Sequence, residues 1–199
     1  MRNLFIIQAL LISLLSAAQD CIKEHAEAFQ KQINSEYANP KESPLLKEDI
    51  KNFRSLEFYP IDLAYCVQAK LVRTPDEKPF NMPTTTERKP RYRKYGELHF
   101  TLKGKQCKLD VFQSLDLIKL EEYKDYLFLP FTDLTSGNGS YGGGRYIDLK
   151  IPESDTIMVD FNTAYNPYCA YNHKYSCPIP PEQNDIMVEI MAGVKEFKK

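Results

Sequence analysis

The chain of 199 residues contains no tryptophan and only three histidines, and its formal net charge is −1 at neutral pH. A nearly neutral chain has no general attraction for nucleic acid or for an anionic membrane surface. The sequence also contains no internal repeat and no low-complexity tract, which is typical of an ordinary globular protein. We therefore expect a globular domain with no nucleic-acid partner, and the composition does not fix its oligomeric state.

Long hydrophobic runs are absent except at the start of the chain. The apolar run Leu4 to Leu15 follows a short positive start, and Ser16-Ala17-Ala18 supplies small residues at the positions that a signal peptidase reads. The run is too short to span a bilayer, and no later segment is apolar for long enough. The sequence predicts a signal peptide over residues 1–18, cleavage before Gln19, and an exported protein, periplasmic or extracellular, without a transmembrane segment.

Familiar catalytic motifs are also missing. The sequence has neither a G-x-S-x-G nucleophile elbow nor an H-E-x-x-H metal motif. The segment Ser136 to Arg145 does contain G-x-G-x-x-G, but a strand-like alternation follows it, whereas a dinucleotide loop must open a helix. We interpret this glycine loop as a wide turn between two strands, and we predict neither a cofactor nor a metal ion.

Residues 19–199 are expected to form one mainly β domain with a helical segment over about 20–54. Ile22, Ala26, Phe29 and Ile33 recur at helical spacing after the capping residue Asp20, and a second short helix is expected around Ile50. From about residue 58 the apolar period changes to two, which predicts a hairpin over 95–113 and further strands at 64–71, 126–131, 145–151, 156–162 and 186–192. Strands with short turns and no helix between them favour an antiparallel β-barrel or sandwich.

The five cysteines are informative because the chain is predicted to be exported. A disulfide between Cys169 and Cys177 is expected to pin the loop between them. The alternative is a metal site, since these two thiols and His173 have a C-x3-H-x3-C spacing to which Asp160 could add a fourth ligand. Cys21 could instead carry a lipid anchor, but the residues before it do not fit a lipoprotein signal.

The segment from 160 to 184 is rich in tyrosine, asparagine and proline without helical or strand periodicity, so it predicts a shaped loop. Asp160 and Asn162 are expected on the face of their strand that points away from the core, where they either line a pocket or bond to the turn. Arg145 leaves the glycine loop and could bind an anion. The ligand-binding candidates are Asp133, Tyr141, Arg145, Tyr146, Asp148, Asp160, Asn162, Tyr165, Asn166, Tyr171 and Asn172.

Three segments carry a resemblance to a known family. PFTDLTSGNGSYGGGRYIDL (130–149), DFNTAYNPYCAYN (160–172) and CPIPPEQN (177–184) resemble the bacterial and archaeal family called domain of unknown function 1684, and the resemblance covers nearly all of the mature chain. It implies no particular activity, substrate or cofactor. The family often has a glutamate where this chain has Gly139, and its closing AGEK is AGVK here, with Val194 in place of the acid. Both changes remove a carboxylate, which weakens an enzymatic interpretation.

Three hypotheses follow. The first is a binding domain whose glycine loop and tyrosine-rich loop lie side by side and form a polar, aromatic pocket for a small ligand. The second is a hydrolase that uses Asp133, Asp148 or Asp160 as acid or base and Arg145 to stabilise an oxyanion. The third is structural, with these residues satisfying one another's hydrogen bonds in a rigid loop cluster.

Overall fold

A computed structural model describes residues 21–198; the predicted signal peptide and Asp20 lie outside the described residues. Two helices precede the sheet, α1 (Lys23–Ala38) and α2 (Lys47–Asn52). The strands are β1 (Cys66–Arg73), β2 (Phe80–Asn81), β3 (Arg91–Leu102), β4 (Lys105–Ser114), β5 (Tyr126–Asp133), β6 (Arg145–Lys150), β7 (Thr156–Asp160) and β8 (Asp185–Ile186). Over residues 21–198, neither helix combines the length and the apolar character needed to cross a bilayer.

The strands form one mainly antiparallel sheet that curls into a half-barrel. Six strands follow the order β6-β5-β4-β3-β1-β7, while β2 adds to β3 and β8 pairs in parallel with β5. The predicted antiparallel β fold with N-terminal helices is confirmed. The sheet leaves β6 and β7 as the two ends of this order.

The predicted hairpin is formed by β3 and β4. Their ladder runs from Tyr92 opposite Ser114 to Leu102 opposite Lys105, with a bulge between Lys94 and Gly96. The two connecting residues, Lys103 and Gly104, both have positive φ, 50° and 77°. This conformation matches the twist of the flanking strands in a two-residue hairpin.

The two faces of the sheet are buried in two different hydrophobic clusters. In β5 and β6, Leu127, Leu129 and Ile147 pack into the main core, which also contains Leu98 and Leu109. The side chains between them point the other way. Tyr92, Phe112, Phe128 and Tyr146 form a second, aromatic cluster with Met82 on that opposite face.

Helix α1 packs through part of the predicted stripe: Ala26 and Ile33 are buried, whereas Ile22 precedes the helix and is 39% exposed. Ile33 and Tyr37 are buried in a third cluster with Leu56, Tyr171 and Val194. A disulfide joins Cys21, just before α1, to the first residue of β1, Cys66. The start of the helix is therefore tied covalently to the sheet, and the Cys21 sulfur is engaged in that bond rather than in a lipid anchor.

The predicted strand over 186–192 is wrong beyond its first residue, since β8 ends at Ile186. The alternation of burial is present, with Val188, Ile190 and Ala192 all buried, but within residues 21–198 no strand forms a ladder with them. Instead, the Leu134 amide donates to the Val188 carbonyl at 3.2 Å. Side chains of residues outside this segment donate hydrogen bonds to the carbonyls that follow.

Candidate ligand-binding site

A cavity of about 510 Å³ lies against the aromatic face of the sheet. Its floor comes from β3, β5 and β6, one wall from α1, and the opposite wall from the loop over 165–178. We call it the tyrosine pocket, because seven of the 13 tyrosines of the chain line it. Its lining is Phe29, Gln32, Ile33, Glu36, Tyr37, Tyr92, Tyr126, Phe128, Tyr146, Asp148, Tyr165, Pro167, Tyr168, Tyr175, Ser176, Cys177 and Pro178.

The aromatic rings of the pocket hold one another at steep angles. The Tyr146 ring lies nearly perpendicular to the rings of Tyr165, at 5.9 Å and 88°, and Phe128, at 4.7 Å and 75°. Edge-to-face pairs of this kind are favourable beyond their buried area. The pocket consequently presents both faces and edges of rings to its interior.

Asp148 is the polar group of the floor. The Tyr126 and Tyr165 hydroxyls both donate to its Oδ1, at 2.7 and 2.8 Å. Within residues 21–198, no protein donor reaches Oδ2. One carboxylate oxygen is thus fixed by the pocket itself, while the other remains able to accept a hydrogen bond from a ligand.

The protein around Asp148 displaces much of the water from its carboxylate, although the residue remains partly exposed to solvent. This desolvation raises the pKa of Asp148 above its ordinary value of 3.8, and the two tyrosine hydroxyls oppose the rise. A carboxylate with a raised pKa in a concave site is a common property of functional positions.

Asp148→Asn is expected to stabilise the fold at neutral pH. Because the pKa of Asp148 is higher in the folded state than in the unfolded chain, stability declines as pH rises from the unfolded pKa through the folded pKa. Asparagine cannot ionise, yet its Oδ1 can still accept from both tyrosines. Urea unfolding is expected to show the variant as more stable at neutral pH, with the difference vanishing below about pH 4.

Asp76→Asn is the matched control, because Asp76 is exposed and does not line the pocket. It is expected to leave the unfolding free energy unchanged at both pH values. A destabilised Asp148→Asn variant at neutral pH would contradict the argument.

The glycine loop and the tyrosine-rich loop lie side by side. Tyr146, just after the first, and Tyr165, in the second, exchange backbone hydrogen bonds of 2.9 and 3.0 Å. The Tyr141 hydroxyl lies 3.9 Å from the Cys169 sulfur. Asn166 is buried and donates to the Tyr171 hydroxyl and to the Lys195 carbonyl, which holds the second loop in place.

The structure brings three of the sequence-predicted ligand-binding candidates, Tyr146, Asp148 and Tyr165, to the pocket lining. The side chains of Asn166 and Tyr171 bond to each other beneath the loop instead, and Asn172 accepts from the Lys174 amide in a turn. The remaining candidates outside the lining are Asp133, Tyr141, Arg145, Asp160 and Asn162.

Arg145 lies in the interior, where a ligand anion cannot reach it. Its side chain is 1% exposed and pairs at 2.7 Å with Asp133, whose side chain is 0% exposed. It also donates to the carbonyls of Ile190, at 2.9 Å, and Ala192. Arg145 therefore takes the place of the missing β ladder in the C-terminal segment.

Asp160 and Asn162 bond to each other and to the backbone. The Asp160 carboxylate accepts from the Asn162 amide and side chain at 2.9 and 2.7 Å, which ends β7 in a 3-10 turn. Asn162 then bridges to the backbone of Asp62 through two hydrogen bonds of 3.0 Å. Of the two uses that the sequence left open for this pair, the structure shows the turn.

The prediction of a disulfide between Cys169 and Cys177 is wrong, since both cysteines are free thiols. The two thiols are adjacent but unbonded, and the Cys169 amide donates to the Cys177 sulfur at 3.1 Å. The hydrogen bond from the Cys177 thiol lowers the pKa of Cys169 to about 6. No trio of His, Cys, Asp or Glu side chains in residues 21–198 converges as metal ligands would.

Sequence reasoning missed the wall supplied by α1 and part of the floor. Phe29 and Ile33 were placed on an apolar stripe, and that stripe turns its edge toward the pocket. Tyr126 shares strand parity with Phe128, so its position on the aromatic face could have been inferred. Gln32 and Glu36 gave no signal, because a polar pair on an amphipathic helix is usually solvated.

Comparison with known proteins places the chain among similar sequences of unknown role. The solution NMR structure of an uncharacterised protein of Haloarcula marismortui is similar, with a TM-score of 0.68 and 31% identity, covering 86% of this chain and 92% of that chain. No curated protein matches the chain. A family model matches residues 51–195, well over half of the sequence, and the chain belongs to the family described as protein of unknown function (DUF1684).

Proposed function

We propose that the chain is an exported domain that binds a small organic molecule in the tyrosine pocket. The observation that carries this proposal is Asp148, which lines a cavity walled by aromatic rings and whose Oδ2 atom has no protein donor within the described residues. Small-molecule sites are typically concave and mostly apolar, with a few polar groups that fix the orientation of the ligand.

The size of the pocket supports a small ligand rather than a macromolecule. A volume of about 510 Å³ lies within the range of roughly 300–1,000 Å³ that is usual for such sites. The tyrosine rings supply contact area with little loss of side-chain freedom, since the sheet and the loop already hold them.

Export is proposed on two grounds. The N-terminal residues have the pattern of a cleaved signal peptide, and the disulfide between Cys21 and Cys66 suits an oxidising compartment.

The hydrolase alternative has less support. It requires Arg145 beside a catalytic carboxylate, but this guanidinium is buried against Asp133, and the Asp160 carboxylate is used by Asn162. Of the three proposed carboxylates, Asp148 lines the pocket, and the other acid of the lining, Glu36, accepts a hydrogen bond from Gln32 at 2.9 Å.

Binding is expected for at least one member of a small panel of probes, namely choline, glucose, phenol and diglycine, by native mass spectrometry and saturation-transfer NMR. Gln32→Trp is expected to weaken that binding at least about tenfold, because Gln32 is exposed on α1 at the wall of the pocket. A bulky ring at this position obstructs the cavity without changing its floor.

Lys31→Trp is the matched control, since Lys31 is the adjacent exposed residue and does not line the pocket. It is expected to leave affinity unchanged. Equal losses in the two variants, or no binding by any probe, would argue against a ligand site in the pocket.

A further inference from the structure

We propose that the ligand of the tyrosine pocket is a small organic cation carrying an ammonium group. This inference rests on the proposed function and names its ligand class. It follows from the charge of the lining, the free faces of the rings and the hydrogen bonding of Asp148.

The charge of the lining is of one sign. Among residues 21–198, Asp148 on the floor and Glu36 on the α1 wall are the only ionisable side chains of the lining apart from tyrosines and Cys177, and no lysine, arginine or histidine of this range lines the cavity. Arg88 lies outside the lining and keeps its positive charge there, where its guanidinium donates to the hydroxyl of Ser176 at 3.1 Å and to its carbonyl at 2.8 Å. A concave site of one charge sign with low-dielectric walls attracts ligands of the opposite charge.

The rings that surround Asp148 are free of protein cations. Within residues 21–198, no lysine or arginine lies over the rings of Tyr92, Tyr126, Tyr146 or Tyr165, whereas Lys174 lies over the outer ring of Tyr175 at 4.8 Å. Aromatic faces attract cations, and cages of such rings recognise quaternary ammonium groups.

The hydrogen bonds to Asp148 strengthen both features. Tyr126 and Tyr165 donate to the carboxylate, so their oxygens and rings take up part of its negative charge. Because both donate to Oδ1, the second oxygen can face a cation directly.

A pair of isosteric probes tests the inference. Choline and 3,3-dimethylbutan-1-ol have the same shape and differ in the positive charge. Isothermal titration calorimetry at low salt is expected to give at least about tenfold tighter binding for choline, since the faces of aromatic rings attract a desolvated cation.

Two variants assign the effect to the pocket. Asp148→Asn is expected to weaken choline binding by about tenfold and to leave the neutral isostere unchanged. Glu36→Gln is expected to act in the same direction with a smaller loss, and this half-buried helical position tolerates the change. Asp76→Asn, at an exposed site outside the lining, is expected to change neither affinity.

The outcomes separate the two proposals. Equal affinity for the isosteres, or preferential binding of glucose in the same pocket, would overturn the cation inference and leave the ligand-binding function standing. Failure of choline while other probes bind would do the same. The absence of binding by every probe would overturn both.

Discussion

Arg145→Met is expected to lower the free energy of unfolding by about 3–5 kcal/mol. The substitution preserves an apolar stem of similar length but leaves the carboxylate of Asp133 buried without its partner. It also removes the donors that satisfy the carbonyls of Ile190 and Ala192. A buried charge and buried carbonyls without partners are each costly.

The loss is measurable by urea unfolding followed by circular dichroism. Arg91→Met provides the control, because Arg91 is exposed at the start of β3 and its loss is expected to change stability by less than about 0.5 kcal/mol. The double variant Asp133→Asn/Arg145→Met is expected to recover part of the loss, since it removes the unpaired charge. A single variant as stable as the Arg91 control would show that the pair does not support the C-terminal segment.

Cys66→Ser is expected to lower the free energy of unfolding by about 4 kcal/mol. The disulfide with Cys21 closes a loop with a sequence separation of 45 residues, and a cross-link of this span restricts the unfolded chain strongly. The substitution also releases the start of α1 from β1. Binding of choline is expected to weaken in parallel, because α1 forms one wall of the pocket.

Cys107→Ser is the control, since Cys107 is a half-buried free thiol. Equal stability of the unmodified protein with and without reductant would contradict the prediction for Cys66. Intact mass analysis of exported protein is expected to show a chain that starts at Gln19 and has lost two hydrogens to one disulfide. A mass equal to the fully reduced chain would argue against the cross-link.

Sequence patterns predicted those elements of the fold that form between residues close together in the chain. The hairpin of β3 and β4 needs two alternating runs and the Lys103-Gly104 turn, all within 24 residues (91–114). The prediction of a strand over 186–192 was wrong because alternating apolar residues predict which side chains are buried but not which strand supplies hydrogen bonds. The donors to the carbonyls at Ile190 and Ala192 come from Arg145, more than 40 positions away.

The candidate site was predicted in part for the same reason. Tyr146, Asp148 and Tyr165 belong to segments whose composition marked them, and they do line the pocket. Arg145 has the same polar neighbours in sequence but lies on the core side, where Asp133 pairs with it. The cysteine pairing could not be predicted, because spacing alone does not rank the ways in which five thiols can meet.

The floor of the tyrosine pocket and its α1 wall differ in how well they tolerate substitutions. The floor lies within residues 51–195, the span of the family model, whereas the α1 residues Phe29, Gln32 and Glu36 lie before it. Gln32 is exposed and Glu36 half-buried, so new side chains there cost little folding energy. If the pocket binds the proposed ligand, substitutions on the helix can alter the choice of ligand without touching the aromatic floor.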